Sequence, residues 1–151
     1  KRVEMTFQSV YLKNNVEGMN KDELVLFVYA ELVKVLYAAR RHFDTNNIEQ
    51  RVVAINKGIE VISVLLNTLD YSAGPIASQL RSLYVYAMRQ LTQANYDRRP
   101  ELVDEVSRIF RGLHDAWRQK MDRDRGQGSG VVPENVPVPH AGEVRNREFF
   151  G

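Results

Sequence analysis

Apolar residues recur every three or four positions in four separate segments of the 151-residue chain, and this periodicity limits the fold more than any other feature. A half-buried strand would instead place apolar residues at every second position. The periodic segments are residues 20–43, 48–69, 75–95 and 100–121. We therefore predict four helices over these ranges.

Residues that favour helix starts lie at the boundaries of these segments. Asn20, followed by Glu23 three residues later, is typical of a capping box. Pro75 and Pro100 suit a first helical position, where a backbone N–H would have no partner within the helix. Connections of about five residues force neighbouring helices to run antiparallel. The sequence therefore predicts an all-α fold, an antiparallel up-down-up-down four-helix bundle.

The composition changes after Met121, where glycine and proline become frequent and the helical periodicity stops. We predict a helical-bundle domain over residues 1–122 and a flexible Gly/Pro-rich tail over residues 123–151. The residues before the first helix, 3–16, are predicted to be a loosely attached lid segment that packs over the bundle.

The charge balance indicates which classes of partner to expect. The chain has 21 basic and 19 acidic residues, interspersed along its length. Nucleic-acid-binding proteins usually concentrate basic groups on one face, so we expect no nucleic-acid partner. No apolar run approaches the roughly 20 residues of a membrane span, so we expect no membrane insertion. The absence of cysteine agrees with a reducing cytoplasm.

Neither metal chemistry nor phosphotransfer has support in the sequence. Di-iron sites in helix bundles use Glu-x-x-His pairs, and the chain contains none. His42, His114 and His140 are never four residues apart, which leaves no zinc pattern. His114 has arginines nearby, but Asp115 follows it and would repel a phosphoryl group. We predict no catalytic residue, no metal and no cofactor, and keep a phosphotransfer or metal-binding bundle only as the enzymatic alternative.

The helices carry more apolar surface than their main stripes require. Large side chains outside those stripes are Val25, Tyr29, Val33, Tyr37, Val53, Val64, Val85 and Met88. Either the chain's own lid segment and tail cover them, or they form a groove for helices of another protein. Tyrosine and methionine favour the groove, because both tolerate being alternately exposed and covered. The sequence leaves both explanations open.

Short motifs spread along the chain are similar to those of one family. In order they are Tyr11-x-x-Asn14-x-Val16, Leu69-Asp70, Leu83-Tyr84, Ala94-Asn95 and Ala116-Trp117. Together they resemble the flagellin-specific export chaperones of the FliS type, over roughly residues 7–119. The chain departs from that pattern at Asn20-Lys21, where the family usually has Ser-Pro, although asparagine preserves the capping role.

The resemblance implies a cytoplasmic, non-enzymatic chaperone, a monomer or weak homodimer. It would bind the carboxyl-terminal helices of flagellin, prevent premature polymerisation and deliver flagellin to the flagellar type III export apparatus. An export-gate component or a co-chaperone is implied as a further partner. An adaptor of the same fold for another flagellar or secretion client is the alternative.

The resemblance also implies a set of partner-binding residues. Tyr11 and Val16 would belong to the lid segment. The base of the groove would be formed by Tyr29, Leu80, Leu83 and Tyr84. Ordinary core packing is the competing interpretation for each of these, and for the two leucines it is the favoured one.

Overall fold

The computed structural model describes residues 18–127, which form four α-helices and one short 3-10 helix. The elements are α1 (Lys21–Asp44), α2 (Ile48–Asn67), the 3-10 helix (Tyr71–Ala73), α3 (Pro75–Asp97) and α4 (Pro100–Gln127). Residues 18–127 contain no strand. The prediction of an all-α four-helix bundle is confirmed.

The starts of three helices are formed as predicted. Asn20 and Glu23 make both bonds of a capping box: the Asn20 side chain accepts from the Glu23 N–H at 2.8 Å, and the Glu23 carboxylate accepts from the Asn20 N–H at 3.0 Å. These bonds satisfy two N–H groups that have no partner within the helix. Pro75 and Pro100 are the first residues of α3 and α4.

The ends of α2 and α3 each differ from the prediction by two residues. Helix α2 ends at Asn67 rather than at residue 69, because Thr68 caps it. The Thr68 hydroxyl donates to the Leu65 carbonyl oxygen at 3.1 Å. Helix α3 continues to Asp97 rather than ending at residue 95, and it stops where Arg98 takes a left-handed conformation with φ of 56°. Pro100 then begins α4.

Helix α4 continues to Gln127, six residues beyond the predicted end at residue 121, so residues 123–127 belong to the helix and not to the predicted tail. Charged pairs at helical spacing support this extension. Lys120 contacts Asp124 at 3.2 Å, and Arg125 lies 3.9 Å from Asp122. Such pairs favour the helical conformation by a few tenths of a kcal/mol each.

Helix α1 packs on α2 and α4, and α3 also packs on α2 and α4. Their inward faces share one core, and its largest fully buried side chains are Tyr29, Leu32, Leu36, Ile55, Ile62, Leu83, Tyr84, Leu91, Val103, Val106, Phe110 and Leu113. Gly58 allows α1 to approach α2 closely, since a Cβ there would lie 3.3 Å from a Leu36 methyl; the Leu91 methyl of α3, at 3.5 Å, would be at an ordinary contact distance.

The inward face of α2 contains a charged residue near its start. Ile48, the first residue of the helix, is 52% exposed. Arg51 is buried instead. Its guanidinium lies 5.0 Å from the centre of the Phe43 ring and donates to the Asn95 side chain at 3.1 Å. A charged side chain is therefore accommodated among apolar ones because its planar head is stacked and hydrogen-bonded.

The surplus apolar side chains divide into three groups. Tyr29 is fully buried, while Tyr37 and Val53 are 46% and 55% exposed. The partly buried ones are Val25, Val33, Val64, Val85 and Met88. Only some of the surplus is thus hidden within the described bundle.

Candidate functional site

An apolar groove lies at the end of the bundle where α1 and α3 begin and where α2 and α4 approach their ends. Its volume is about 460 Å³, which is within the usual range for ligand sites. Its apolar lining consists of Leu24, Val25, Tyr29, Leu65, Leu69, Ala73, Ile76, Ala77, Leu80, Tyr84 and Trp117. These four ends meet because sequential helices of the bundle run antiparallel.

The floor of the groove is formed by Tyr29, Leu80 and Tyr84, each at most 4% exposed. The two tyrosines face each other from α1 and α3, and their hydroxyl oxygens are 2.6 Å apart. Beneath them lies Phe110 of α4, with its ring centre 5.7 Å from that of Tyr29 and 5.9 Å from that of Tyr84. The floor is therefore continuous with the core.

Burial governs the ionisation of the tyrosine pair. It raises the pKa of Tyr84 to about 12, against a smaller lowering by the hydrogen bond with Tyr29. Burial also raises the pKa of Tyr29 well above its usual value, and the neighbouring Tyr84 adds to that effect. Both hydroxyls are therefore neutral at physiological pH.

Trp117 forms the α4 side of the groove. Its ring meets the Tyr29 ring edge-on, with centres 6.0 Å apart. Its indole N–H donates to the Asp22 carboxylate at 3.3 Å. The ring thus offers an apolar face to the groove while its polar edge is hydrogen-bonded to α1.

We call the polar border formed by Asp22, Lys120 and Asp124 the rim. The Lys120 ammonium lies 2.9 Å from the Asp22 carboxylate and 3.2 Å from that of Asp124. Burial by itself would lower the pKa of Lys120, but the hydrogen bonds to the two carboxylates outweigh it and raise that pKa. Lys120 therefore keeps its positive charge at neutral pH, and the rim joins the end of α4 to the start of α1.

The opposite border of the groove contains Asp70 in the connection between α2 and α3. Its carboxylate accepts from the backbone N–H of Ser72 at 3.0 Å and from the Ser72 hydroxyl at 2.5 Å. These bonds lower the pKa of Asp70. Lys21 lies 3.9 Å away. Asp70 thus orders the short 3-10 helix beside the groove.

The structure brings three of the six predicted binding residues together. Tyr29, Leu80 and Tyr84 all line the groove. Leu83 is 1% exposed within the core and is not part of the lining. Tyr11 and Val16, and with them the predicted lid segment, lie outside the described residues.

Sequence reasoning offered Val25 as a surplus apolar side chain but did not assign the other remaining lining residues, such as Leu24 and Ile76, to the groove. Leu69 and Trp117 were noted in the family motifs but not as groove residues. The positions of these residues along the helices could have identified them. In an antiparallel bundle, the starts of α1 and α3 and the ends of α2 and α4 meet at one end, so apolar residues there lie close together.

The described residues contain neither a candidate metal cluster nor a candidate membrane span. Between residues 18 and 127, no three histidine, cysteine or acidic side chains are grouped so that they could hold a metal ion. The same part of the chain has no helix long and apolar enough to cross a membrane. His114 is partly buried, with a ring nitrogen 3.5 Å from the Asp115 carboxylate.

Comparison with known proteins agrees with this architecture. The family model described as "Flagellar protein FliS" matches residues 4–124, which is most of the chain. The chain belongs to the FliS family. The matched range contains all the groove residues. This confirms the resemblance seen in the motifs.

Individual relatives carry the same description at low sequence identity. A "Flagellar secretion chaperone FliS" from Campylobacter jejuni is 28% identical over 112 residues, covering 74% of this chain and 88% of the relative. The proteins of that name from Bacillus subtilis and Escherichia coli are 25% and 24% identical, covering 82% and 76% of this chain and 94% and 86% of the relatives. The FliS family is thus one of flagellar secretion chaperones and not of enzymes.

Proposed function

We propose that this protein binds the carboxyl-terminal helical region of flagellin in the cytoplasm, prevents its premature polymerisation and delivers it to the flagellar type III export apparatus. The observation that supports this most directly is the groove, an apolar concave surface at the end of a bundle of the FliS family. A chaperone that holds a client before export acts where the client is synthesised.

The shape and chemistry of the groove favour an amphipathic helix as the occupant. Its walls come from four helices and are mainly aliphatic and aromatic, and its charged groups are confined to the borders. A helix laid into such a groove buries side chains at positions i, i+3, i+4 and i+7 against it. A flagellin segment whose apolar face becomes buried only in the assembled filament would need such a groove to cover that face before assembly.

We propose that the lid segment, residues 3–16, competes with the client for the groove through Tyr11 and Val16. A segment that occupies the groove part of the time lowers the apparent affinity for the client in proportion to its occupancy. Removal of residues 1–16 is therefore expected to tighten binding of a flagellin carboxyl-terminal peptide. Equal or weaker binding by the shortened chain would contradict the lid.

The test of the groove requires substitutions that disturb its surface without opening the core. Charged residues in place of Tyr29 or Tyr84 would unfold the bundle, because both are buried. Val25 and Ile76 line the groove but are only partly buried. We expect the double variant Val25→Asp/Ile76→Asp to remain helical by circular dichroism and to lose co-purification with full-length flagellin.

The matched control is Val53→Asp, the same type of change at a 55% exposed position of α2 that is not part of the groove. It should retain flagellin. A second control is flagellin truncated at its carboxyl terminus, which the unsubstituted protein should not retain. If the protein ignores flagellin but retains another flagellar or secretion protein through the groove, the adaptor alternative is correct and the flagellin assignment is wrong.

A further inference from the structure

The tyrosine pair in the groove floor contains one more hydrogen than its own hydrogen bond uses. Tyr29 and Tyr84 are 0% and 2% exposed, and their hydroxyl oxygens are 2.6 Å apart. Each neutral hydroxyl carries one hydrogen that it can donate. One hydroxyl donates to the other, so the hydrogen of the accepting hydroxyl remains available. Within residues 18–127 neither hydroxyl has another hydrogen-bond partner.

The protonation of both groups is secure near neutral pH. Burial raises the pKa of Tyr84 to about 12 and raises that of Tyr29 well above its usual value. The pair therefore contains two hydrogens over the whole physiological range. It must present a donor, and not merely an acceptor, to whatever contacts it.

No acceptor of the groove lining is hydrogen-bonded to the tyrosine pair. The Asp22 carboxylate accepts from Trp117 and Lys120. The Asp70 carboxylate accepts from Ser72, and the Thr68 hydroxyl donates to a backbone carbonyl of its own helix. The rings and aliphatic chains around the pair offer no strong acceptor.

The spare hydrogen is already largely shielded from solvent, since the two tyrosines are 0% and 2% exposed, and an apolar segment that filled the groove would leave it without a partner. A buried hydroxyl without a hydrogen-bond partner is costly, whereas one that finds an acceptor costs little. The carbonyl groups inside a bound helix are used within that helix, so the acceptor must come from a side chain. We propose that the helix bound in this groove carries an amide or hydroxyl side chain (Asn, Gln, Ser or Thr) on its apolar face, and that this side chain accepts the spare hydrogen of the Tyr29–Tyr84 pair. This inference rests on the proposed function and adds to it a rule for which segments are accepted.

The first test is the double variant Tyr29→Phe/Tyr84→Phe, which keeps both rings and removes both hydroxyls. Removing both partners of a buried hydrogen bond with little change of shape is nearly neutral for stability, so thermal unfolding should change little. The dissociation constant for a flagellin carboxyl-terminal peptide, measured by calorimetry, should rise about tenfold. Equal or tighter binding would overturn the inference. If the occupant had no acceptor, the hydroxyl hydrogen would be left without a partner in the complex, and its removal would strengthen binding.

The matched control is Tyr96→Phe, which removes a hydroxyl from an 85% exposed tyrosine that is not part of the groove. It should bind the peptide with unchanged affinity. Any equal loss in this variant would show that the effect of the double variant is not specific to the floor.

The second test places the substitutions in the peptide and does not depend on the folding of a variant. Each Asn, Gln, Ser and Thr of the peptide is replaced by alanine in turn, and binding to the unsubstituted protein is measured. One replacement should weaken binding about tenfold, and the same replacement should have little effect on binding to the double phenylalanine variant. If every replacement is neutral, the inference is wrong while the proposed function stands. If the unsubstituted protein binds no flagellin peptide at all, the proposed function fails and the inference fails with it.

Discussion

Replacement of Phe110 by alanine is the most direct test of how the core supports the groove. The Phe110 side chain is 0% exposed and contacts both tyrosine rings of the floor, at centre distances of 5.7 and 5.9 Å. A fully buried Phe→Ala change costs about 3–5 kcal/mol, from the lost transfer free energy and the cavity left behind. The two ring contacts place Phe110→Ala toward the upper end of that range.

A loss of this size is a large part of the about 5–15 kcal/mol that stabilises a typical domain. At about 4 °C per kcal/mol for a domain of this length, Tm should fall by about 12–20 °C. Urea unfolding followed by circular dichroism gives the free energy, and a scanning calorimeter gives Tm. The expected result is a cooperative transition at much lower urea with a similar slope.

Phe43→Ala is the control for this prediction. The Phe43 ring is only partly buried, packed at the margin of the core with the Arg51 guanidinium over it. We expect about half the loss of Phe110→Ala, since less apolar area is returned to water. A loss below about 2 kcal/mol for Phe110→Ala, or an equal loss for both variants, would refute the role given to Phe110.

Three further outcomes are expected. The free energy of unfolding should be highest below pH 10 and fall by at least about 1.4 kcal/mol per pH unit as pH rises toward 12, since folded Tyr84 and Tyr29 keep protons that the unfolded chain releases. Urea titrations should show a shallower fall for Tyr29→Phe/Tyr84→Phe. Asn20→Ala should cost about 1 kcal/mol by urea unfolding, whereas Asn20→Asp should be nearly neutral because aspartate also caps helices. Lys120→Met should lower the free energy of unfolding by about 1 kcal/mol and speed amide hydrogen exchange in the last turns of α4. Unchanged exchange would contradict the role of Lys120 in holding α4 to Asp22.

The groove shares its floor with the core, so the proposed client binding would be linked to stability. Tyr29, Leu80 and Tyr84 are at once the base of the groove and members of the hydrophobic core. Substitutions there are expected to change folding and the proposed binding together. Partly buried residues such as Val25 and Ile76 are the positions at which the two properties can be separated.

The helices and their starts could be predicted from the sequence because both depend on local interactions. Apolar spacing fixes which face of a segment is buried, and Asn20, Pro75 and Pro100 act within one turn of their own position. The ends were less predictable. Helix α4 extends past residue 121 with ion pairs such as Lys120–Asp124, and the same lysine also contacts a helix 98 residues earlier in the chain.

The candidate site could be predicted only in part. The family resemblance implied Tyr29, Leu80 and Tyr84 as binding residues, and the structure places them on one surface. No pattern in the sequence connected Trp117 with Asp22, because they are 95 residues apart and meet only when α4 packs along α1. Leu83 precedes Tyr84 and was assigned to the same surface, but successive helical residues point about 100° apart, so one lies in the core and the other lines the groove.

The sequence by itself determined that residues 18–127 form four amphipathic helices joined by short connections, and its motifs indicated the family. Those properties follow from the spacing of apolar residues and from caps that act within a single turn. Only the tertiary structure decided which apolar side chains meet at the groove and that Tyr29 and Tyr84 share a hydrogen bond across 55 residues. Contacts between helices depend on how the helices are rotated and how they pack, and residue spacing along one helix does not specify either.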